Sequence, residues 1–205
     1  MKKKEAQKIG EKLLPYLPGF RAKGDLVYSM PIPHVLQALC FENSSTGKEA
    51  FYLNAFIMPL FSPSEHVYFN YGQRLRDIDS SGWRSDHPDL IPRLERAVHS
   101  KQASIYLEPI KSVAEFIERL FSIDKHKSLY FHEAIGFAYA LEGDVKKALV
   151  NLKIVEAQAD EYYPWQLTLK ERSKFFQELL KKDIEKARKQ LEEWEKFTLE
   201  HLKIS

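Results

Sequence analysis

The stretch Phe131–Leu152, FHEAIGFAYALEGDVKKALVNL, decides how the second half of this chain is read. Apolar residues at three- and four-residue steps on either side of Gly143-Asp144 predict two helices joined by a tight turn. Helical stripes continue in both directions. Ile110, Val113, Phe116, Ile117, Leu120 and Phe121 form one face upstream. Downstream, helices are expected over Ser128–Leu141, Val145–Ala159 and Leu169–Leu180, and a last one carries Ile184, Ala187, Leu191 and Trp194. The narrow stripe of that last helix suits packing on a single neighbour. The short connection at Lys182-Asp183 favours the preceding helix as that neighbour, and a homodimer through leftover apolar surface including Phe197 is the other use of it.

The first half has a different period. Ala6, Ile9 and Leu13 predict an amphipathic helix that Pro15 and Pro18-Gly19 close. Leu26–Met30 reads as a short strand. His34–Glu42 alternates, with Val35, Gln37, Leu39 and Phe41 on one face. NSSTGK is a hairpin-length connection to a long strand in which Phe51, Leu53, Ala55 and Ile57 share one side and Tyr52, Asn54, Phe56 and Met58 the other. His66–Tyr71 and Arg74–Ile78 are expected as further strands. After Ile78 the texture turns loop-rich; Asp86 before His87-Pro88 suggests a helix cap, and Leu90, Leu94, Ala97 and Val98 a short helix. The fold class is therefore α+β: an N-terminal helix plus antiparallel sheet, then an all-helical region. The boundary is expected between Ser100 and Pro109, giving a sheet domain over 1–105 and a helical-hairpin domain over 106–205.

Two resemblances bear on these halves. Gly136, Tyr139 and Ala148 stand at the spacing of the small, aromatic and small positions of a tetratricopeptide repeat, with Gly143-Asp144 at the turn. A weaker echo has Ala187, Leu191 and Trp194 behind Lys182-Asp183. Ala187 lies 39 positions after Ala148, against about 34 in a regular repeat. The region thus resembles a degenerate pair of such hairpins, and a generic helical bundle fits the same residues. In the first hundred residues, Gly19-Phe20, the strand with Gln37, the Ser44-Ser45 connection and the strand with Phe51 and Asn54 resemble the domain of unknown function 4304 family. That resemblance implies a small bacterial α+β protein and carries no catalytic residue over.

Composition narrows the chemistry. Of 205 residues, 44% are hydrophobic and 29% charged, which suits a globular chain rather than a disordered one. No apolar run approaches the roughly 18 residues needed to cross a bilayer. The basic start MKKKEAQK has no apolar stretch behind it, so a cytoplasmic location is expected. Cys40 is the only cysteine, which removes internal disulfides and cysteine zinc sites; in its apolar strand it reads as a buried, inert thiol. The net charge of +2 argues against nucleic acid as a partner.

No phosphate loop, nucleophile elbow or paired-histidine zinc motif is present. The nearest constellation, His66, Asp77, Asp79, Asp86 and His87, would serve a hydrolytic or metal-dependent enzyme if a loop folded back on the sheet. Turn and cap roles explain the same residues. His132 beside Glu133 sits on an apolar helix and reads as a packing histidine. Tyr68, Phe69 and Tyr71 with Arg74 and Arg76 are the types that stack on and neutralise single-stranded RNA, although strand alternation would spread them over both faces. The expectation is thus a protein-binding module, immunity- or stress-related by analogy, with no catalytic, cofactor or metal residue assigned. An enzyme with scattered site residues and a single-stranded RNA binder stay open beside it. A perturbed titratable cluster in one pocket would favour the enzyme, and an exposed apolar patch the binding module.

Overall fold

The computed structural model describes residues 1–31, 34–77 and 82–204. The fold is α+β, and the chain divides into two compact units: residues 1–58 with 69–109, and residues 59–68 with 110–205. Among the described residues no helix is long and apolar enough to cross a membrane.

The first unit holds the sheet. Helix α1 spans Lys3–Leu13, started by Glu5, whose carboxylate accepts the Lys2 N–H at 3.4 Å. Its buried stripe is Ala6, Ile9, Gly10 and Leu13, and Pro15 then tightens the chain into a short 3₁₀ turn. Strands β1 (Phe20–Lys23), β2 (Leu26–Ser29), β3 (Val35–Asn43), β4 (Ala50–Pro59) and β5 (Gly72–Leu75) lie side by side in that order. A two-residue strand β6, Trp83–Arg84, also pairs with β4, through Ala50↔Arg84 and Phe51↔Trp83. The register between β1 and β2 is antiparallel, as it is between β2 and β3 and between β4 and β5. Both sides of β4 are covered as its composition implies, Tyr52 alone among residues 51–58 being half-buried. Phe51 fills the centre, between Phe41 at 5.7 Å and Trp83 at 6.3 Å.

Helix α1 packs on β1 and β2, while α2 (Leu90–Val98) contacts both α1 and α3 (Lys101–Leu107), and α3 lies on β3 and β5. Gln37 ties this layer to the sheet. Its buried amide donates to the carbonyls of Tyr106 and Glu108, each at 2.7 Å, satisfying groups that the end of α3 leaves orphaned.

Three readings need correction here. Residues 66–71 form no strand: 59–68 packs with the helices, and Tyr71, in a turn, accepts the Ile57 N–H at its carbonyl. The following strand starts earlier and ends at Leu75; Ile78 lies outside the described residues. Asp86 caps no helix: α2 starts at Leu90, with Pro92 in its first turn, and Asp86 is held by Arg84 instead.

The second unit is helical: α4 (Val113–Ile123), α5 (Leu129–Leu141), α6 (Val145–Gln158), α7 (Pro164–Lys182) and α8 (Ile184–Leu202). Ser112, Ser128, Asp144 and Asp183 cap four of them, each side chain accepting a backbone N–H from the first turn. Gly143 turns α5 into α6 at φ +83°, a backbone conformation that costs glycine little. Gly136 is where the two helices touch: a Cβ there would stand 2.7 Å from Leu152 Cγ. Helix α8 returns over both α7 and α5, placing Trp194 5.2 Å from Phe137 and 5.7 Å from Phe176. Ala187 and Leu191 are consumed by this packing, whereas Ile184, expected in the same stripe, is exposed.

Candidate functional site

Helix α5 is apolar almost all round, with Phe131, Ala134, Ile135, Phe137, Ala138 and Ala140 buried, and Glu133 sits among them only 2% exposed. A lone buried carboxylate would be very costly. Arg172 of α7 supplies the counter-charge in a two-pronged contact, Nε to Oε1 at 2.8 Å and Nη2 to Oε2 at 2.7 Å. Burial pushes the Glu133 carboxyl above its ordinary range, and the guanidinium pulls it part of the way back. Both carboxylate oxygens are thereby engaged, so the pair is built to hold position rather than to exchange protons.

Two tyrosines lie within electrostatic reach of this pair. Tyr68 is half-buried as a residue, but its hydroxyl end is withdrawn from water. Burial and the Glu133 charge raise its pKa, against the pull of Arg172. Tyr130 is raised by burial and by Glu133 in the same way. Its ring stacks on Trp165 with centroids 5.1 Å apart and planes 8° from parallel. Trp165 is 44% exposed, and next to it on the α6–α7 connection Tyr163 is 46% and Tyr162 83% exposed. The site thus joins a two-pronged Glu133–Arg172 ion pair, two tyrosines in its field, and, through the Tyr130–Trp165 stack, aromatic side chains open to solvent.

Residues 59–68 reach it along the helices. Phe61 meets Phe116 of α4 edge-on at 5.9 Å, the Ser64 N–H donates to Thr198 Oγ1 of α8 at 3.2 Å, and the charges of Glu133 and Arg172 act on the Tyr68 phenol.

The residues singled out from sequence are placed elsewhere. Asp77 is buried in an ion pair with Arg93 of α2, whose Nε lies 3.1 Å from Asp77 Oδ1. Arg93 Nη1 is 2.6 Å from His87 Nε2, and His87 Nδ1 accepts the Asp89 N–H at 3.0 Å. Asp86 is bonded to Arg84 at 3.0 and 2.7 Å, on the surface. His66 is exposed within 59–68, in the helical unit, while the others lie in the sheet unit; Asp79 is outside the described residues. Among the described residues no three His, Cys, Asp or Glu side chains gather as a metal would need. His132 places Nδ1 3.0 Å from Asn151 Oδ1 and its ring edge-on to Phe131, a packed and satisfied histidine. Cys40 is buried, and burial together with Asp25 and Glu42 pushes its thiol up to about 12.

The aromatic and arginine group also divides. Tyr71 is buried, Phe69 packs edge-on against Phe56 at 5.2 Å, and Arg74 lies over the Tyr52 ring at 3.5 Å. Arg76 is exposed. The ring faces that would stack on bases are thus largely spent on the chain's own packing.

Arg172, Tyr130, Trp165, Tyr162 and Tyr163 are the functional candidates that sequence reasoning did not single out. One signal was available: a carboxylate at 133 inside a helix apolar on every side requires a cation from another element. Comparison of the chain with protein-family models, curated proteins and solved structures finds no match.

Proposed function

We propose that this chain is a protein-binding module whose contact surface lies on the helical unit. The observation that supports it is the open aromatic surface of Tyr162, Tyr163 and Trp165, braced from beneath by Tyr130. Large apolar side chains exposed singly are ordinary, but aromatic clusters of this kind are characteristic of interface centres. Trp165 is held flat by its stack and so loses little freedom on binding, which favours affinity. The close approach of α5 and α6 at Gly136 supports a tetratricopeptide-like hairpin as the scaffold. The resemblance of the first hundred residues enters this reading as a fold only.

The test is a photo-crosslinking amino acid in place of Tyr162, irradiated in cells that make the full chain. A discrete adduct with another protein is expected, abolished by Trp165→Ala, while the same probe at exposed Lys196 gives none. Identical patterns at 162 and 196, or an adduct indifferent to Trp165→Ala, refute the reading.

A further inference from the structure

Helix α1 carries a charge arrangement that its own stability does not explain. The first twelve residues hold five lysines, Lys2, Lys3, Lys4, Lys8 and Lys12, against Glu5 and Glu11 alone. That is +3 in a chain whose whole charge is +2, so the remaining 193 residues together carry −1. All five lysines are exposed, and among the described residues none is in an ion pair. Each glutamate is engaged with an uncharged group instead. Glu5 accepts the Lys2 backbone N–H at 3.4 Å, and Glu11 accepts from Gln7 Nε2 at 3.0 Å.

Elsewhere the chain pairs its helical charges. At the start of α6 and along α8, Asp144–Lys147, Asp183–Lys186, Glu185–Arg188 and Lys196–Glu200 set opposite signs three or four residues apart. On α1 the same spacing brings like charges together. Lys4, Lys8 and Lys12 follow one another over about 12 Å of axis, turned away from the buried Ala6, Ile9, Gly10 and Leu13, and they repel. Lys3 and Lys4 also stand in the first turn, where the helix dipole disfavours cations. Local rules broken without structural return mark functional surfaces. A second element extends this one: the Met1 amine donates to the Lys48 carbonyl at 2.6 Å, which sets exposed Lys48 beside the start of α1.

We infer that the lysine face of α1 docks on an anionic lipid surface, held there by charge without insertion. The apolar stripe that would enter a bilayer is already spent on the sheet unit. The exposed residues of α1 include no aromatic ring to stack on bases. Its cations are all lysine, without the guanidinium fork that grips nucleic-acid phosphates in fixed geometry. A mobile ammonium suits a headgroup layer whose charges have no fixed pattern, and each one near the surface contributes about fivefold in partitioning. This face belongs to the sheet unit and is independent of the protein-binding reading, whose surface is on the helical unit.

The experiment sediments the full-length chain with vesicles of phosphatidylcholine, with and without about 30% phosphatidylserine, in about 0.1 M salt. Wild type is expected to pellet only with the anionic vesicles and to be released at about 0.5 M salt. Lys4→Gln, Lys8→Gln and Lys12→Gln together should weaken partitioning by about 100-fold. Lys146→Gln, Lys153→Gln and Lys189→Gln, which remove the same charge from exposed positions of the helical unit, should leave it within about threefold of wild type. The α1 triple variant should also unfold in urea no earlier than wild type, because its like-charge contacts are gone. Equal pelleting with neutral and anionic vesicles overturns the inference, as do equal losses in the two triple variants. Binding that survives high salt overturns docking by charge alone. Earlier unfolding of the α1 variant shows the lysines to be structural and overturns it too. A short DNA duplex that competes for the same lysines and binds more tightly than the vesicles assigns the face to nucleic acid instead.

Discussion

Replacing Gly136 by alanine sets two effects of known sign against each other. In an open helix the change should stabilise by about 1 kcal/mol, because glycine loses more backbone freedom on folding. Here the new Cβ would stand 2.7 Å from Leu152 Cγ and 2.8 Å from Cδ2, with the Ala148 carbonyl oxygen at 3.4 Å. The obstacle is a branch point of a fully buried side chain, and the Ala148 backbone lies just behind it, so α6 must shift outward. Overpacking of this kind costs about 1–3 kcal/mol. The balance runs from near zero to about 2 kcal/mol destabilising. Leu152→Ala alone should cost about 2–5 kcal/mol through the cavity it leaves. In the double variant the added methyl occupies part of that cavity. The two changes should therefore cost less together than their sum, by about 0.5–3 kcal/mol. Urea unfolding followed by far-ultraviolet circular dichroism on wild type, both single variants and the double variant measures this coupling. A Gly136→Ala chain more stable by about 1 kcal/mol, with additive behaviour in the double variant, would refute the close helix contact.

Three further outcomes are expected. Cys40 should react with Ellman's reagent at pH 8 only after unfolding. Because its folded pKa is raised from 9.0 to about 12, its contribution to stability is intact below 9.0 and lost as pH rises through about 12; rapid modification of the native chain contradicts this. Arg93→Leu should destabilise by about 3–5 kcal/mol by leaving the buried Asp77 carboxylate uncompensated, and adding Asp77→Asn should recover much of the loss in the same urea experiment. Gln37→Leu should cost about 1–3 kcal/mol, since the Tyr106 and Glu108 carbonyls then lose their donor; hydrogen exchange should rise first in α3, and a uniform rise over the sheet unit would point to another cause.

The helices were legible because each carries its own record of burial. Val113, Phe116, Ile117 and Leu120 face inward at a period that one face of a helix imposes, whatever packs against it. Strands β3 and β4 were legible for the same local reason. Helix α3 was not, since Lys101–Leu107 buries only Ala103, Tyr106 and Leu107 and shows no sustained stripe. The alternation in His66–Tyr71 misled for a tertiary reason. Tyr68 answers to an ion pair in the helices and Phe69 to Phe56 in the sheet, so adjacent residues are buried by different units. The candidate site was least legible. Glu133 and Arg172 are 39 residues apart, and an arginine in a charged helix looks solvated until its partner is known.

The chain passes between its two units three times, after residues 58, 68 and 109, and this orders its synthesis as well as its structure. By the time Pro109 is made, every residue of the sheet unit exists, while the helical unit consists of residues 59–68 alone. Thr198, which receives the Ser64 N–H, comes 134 residues after it. At a ribosomal pace of about 5–20 residues per second, that is a wait of roughly 7–27 s. Over that interval Leu60 and Phe61, both fully buried in the finished chain, have none of the later helices to cover them. The first half of the protein thus emerges already presenting the strip on which the second half will close, and it is to that strip that chaperones on the growing chain would be drawn.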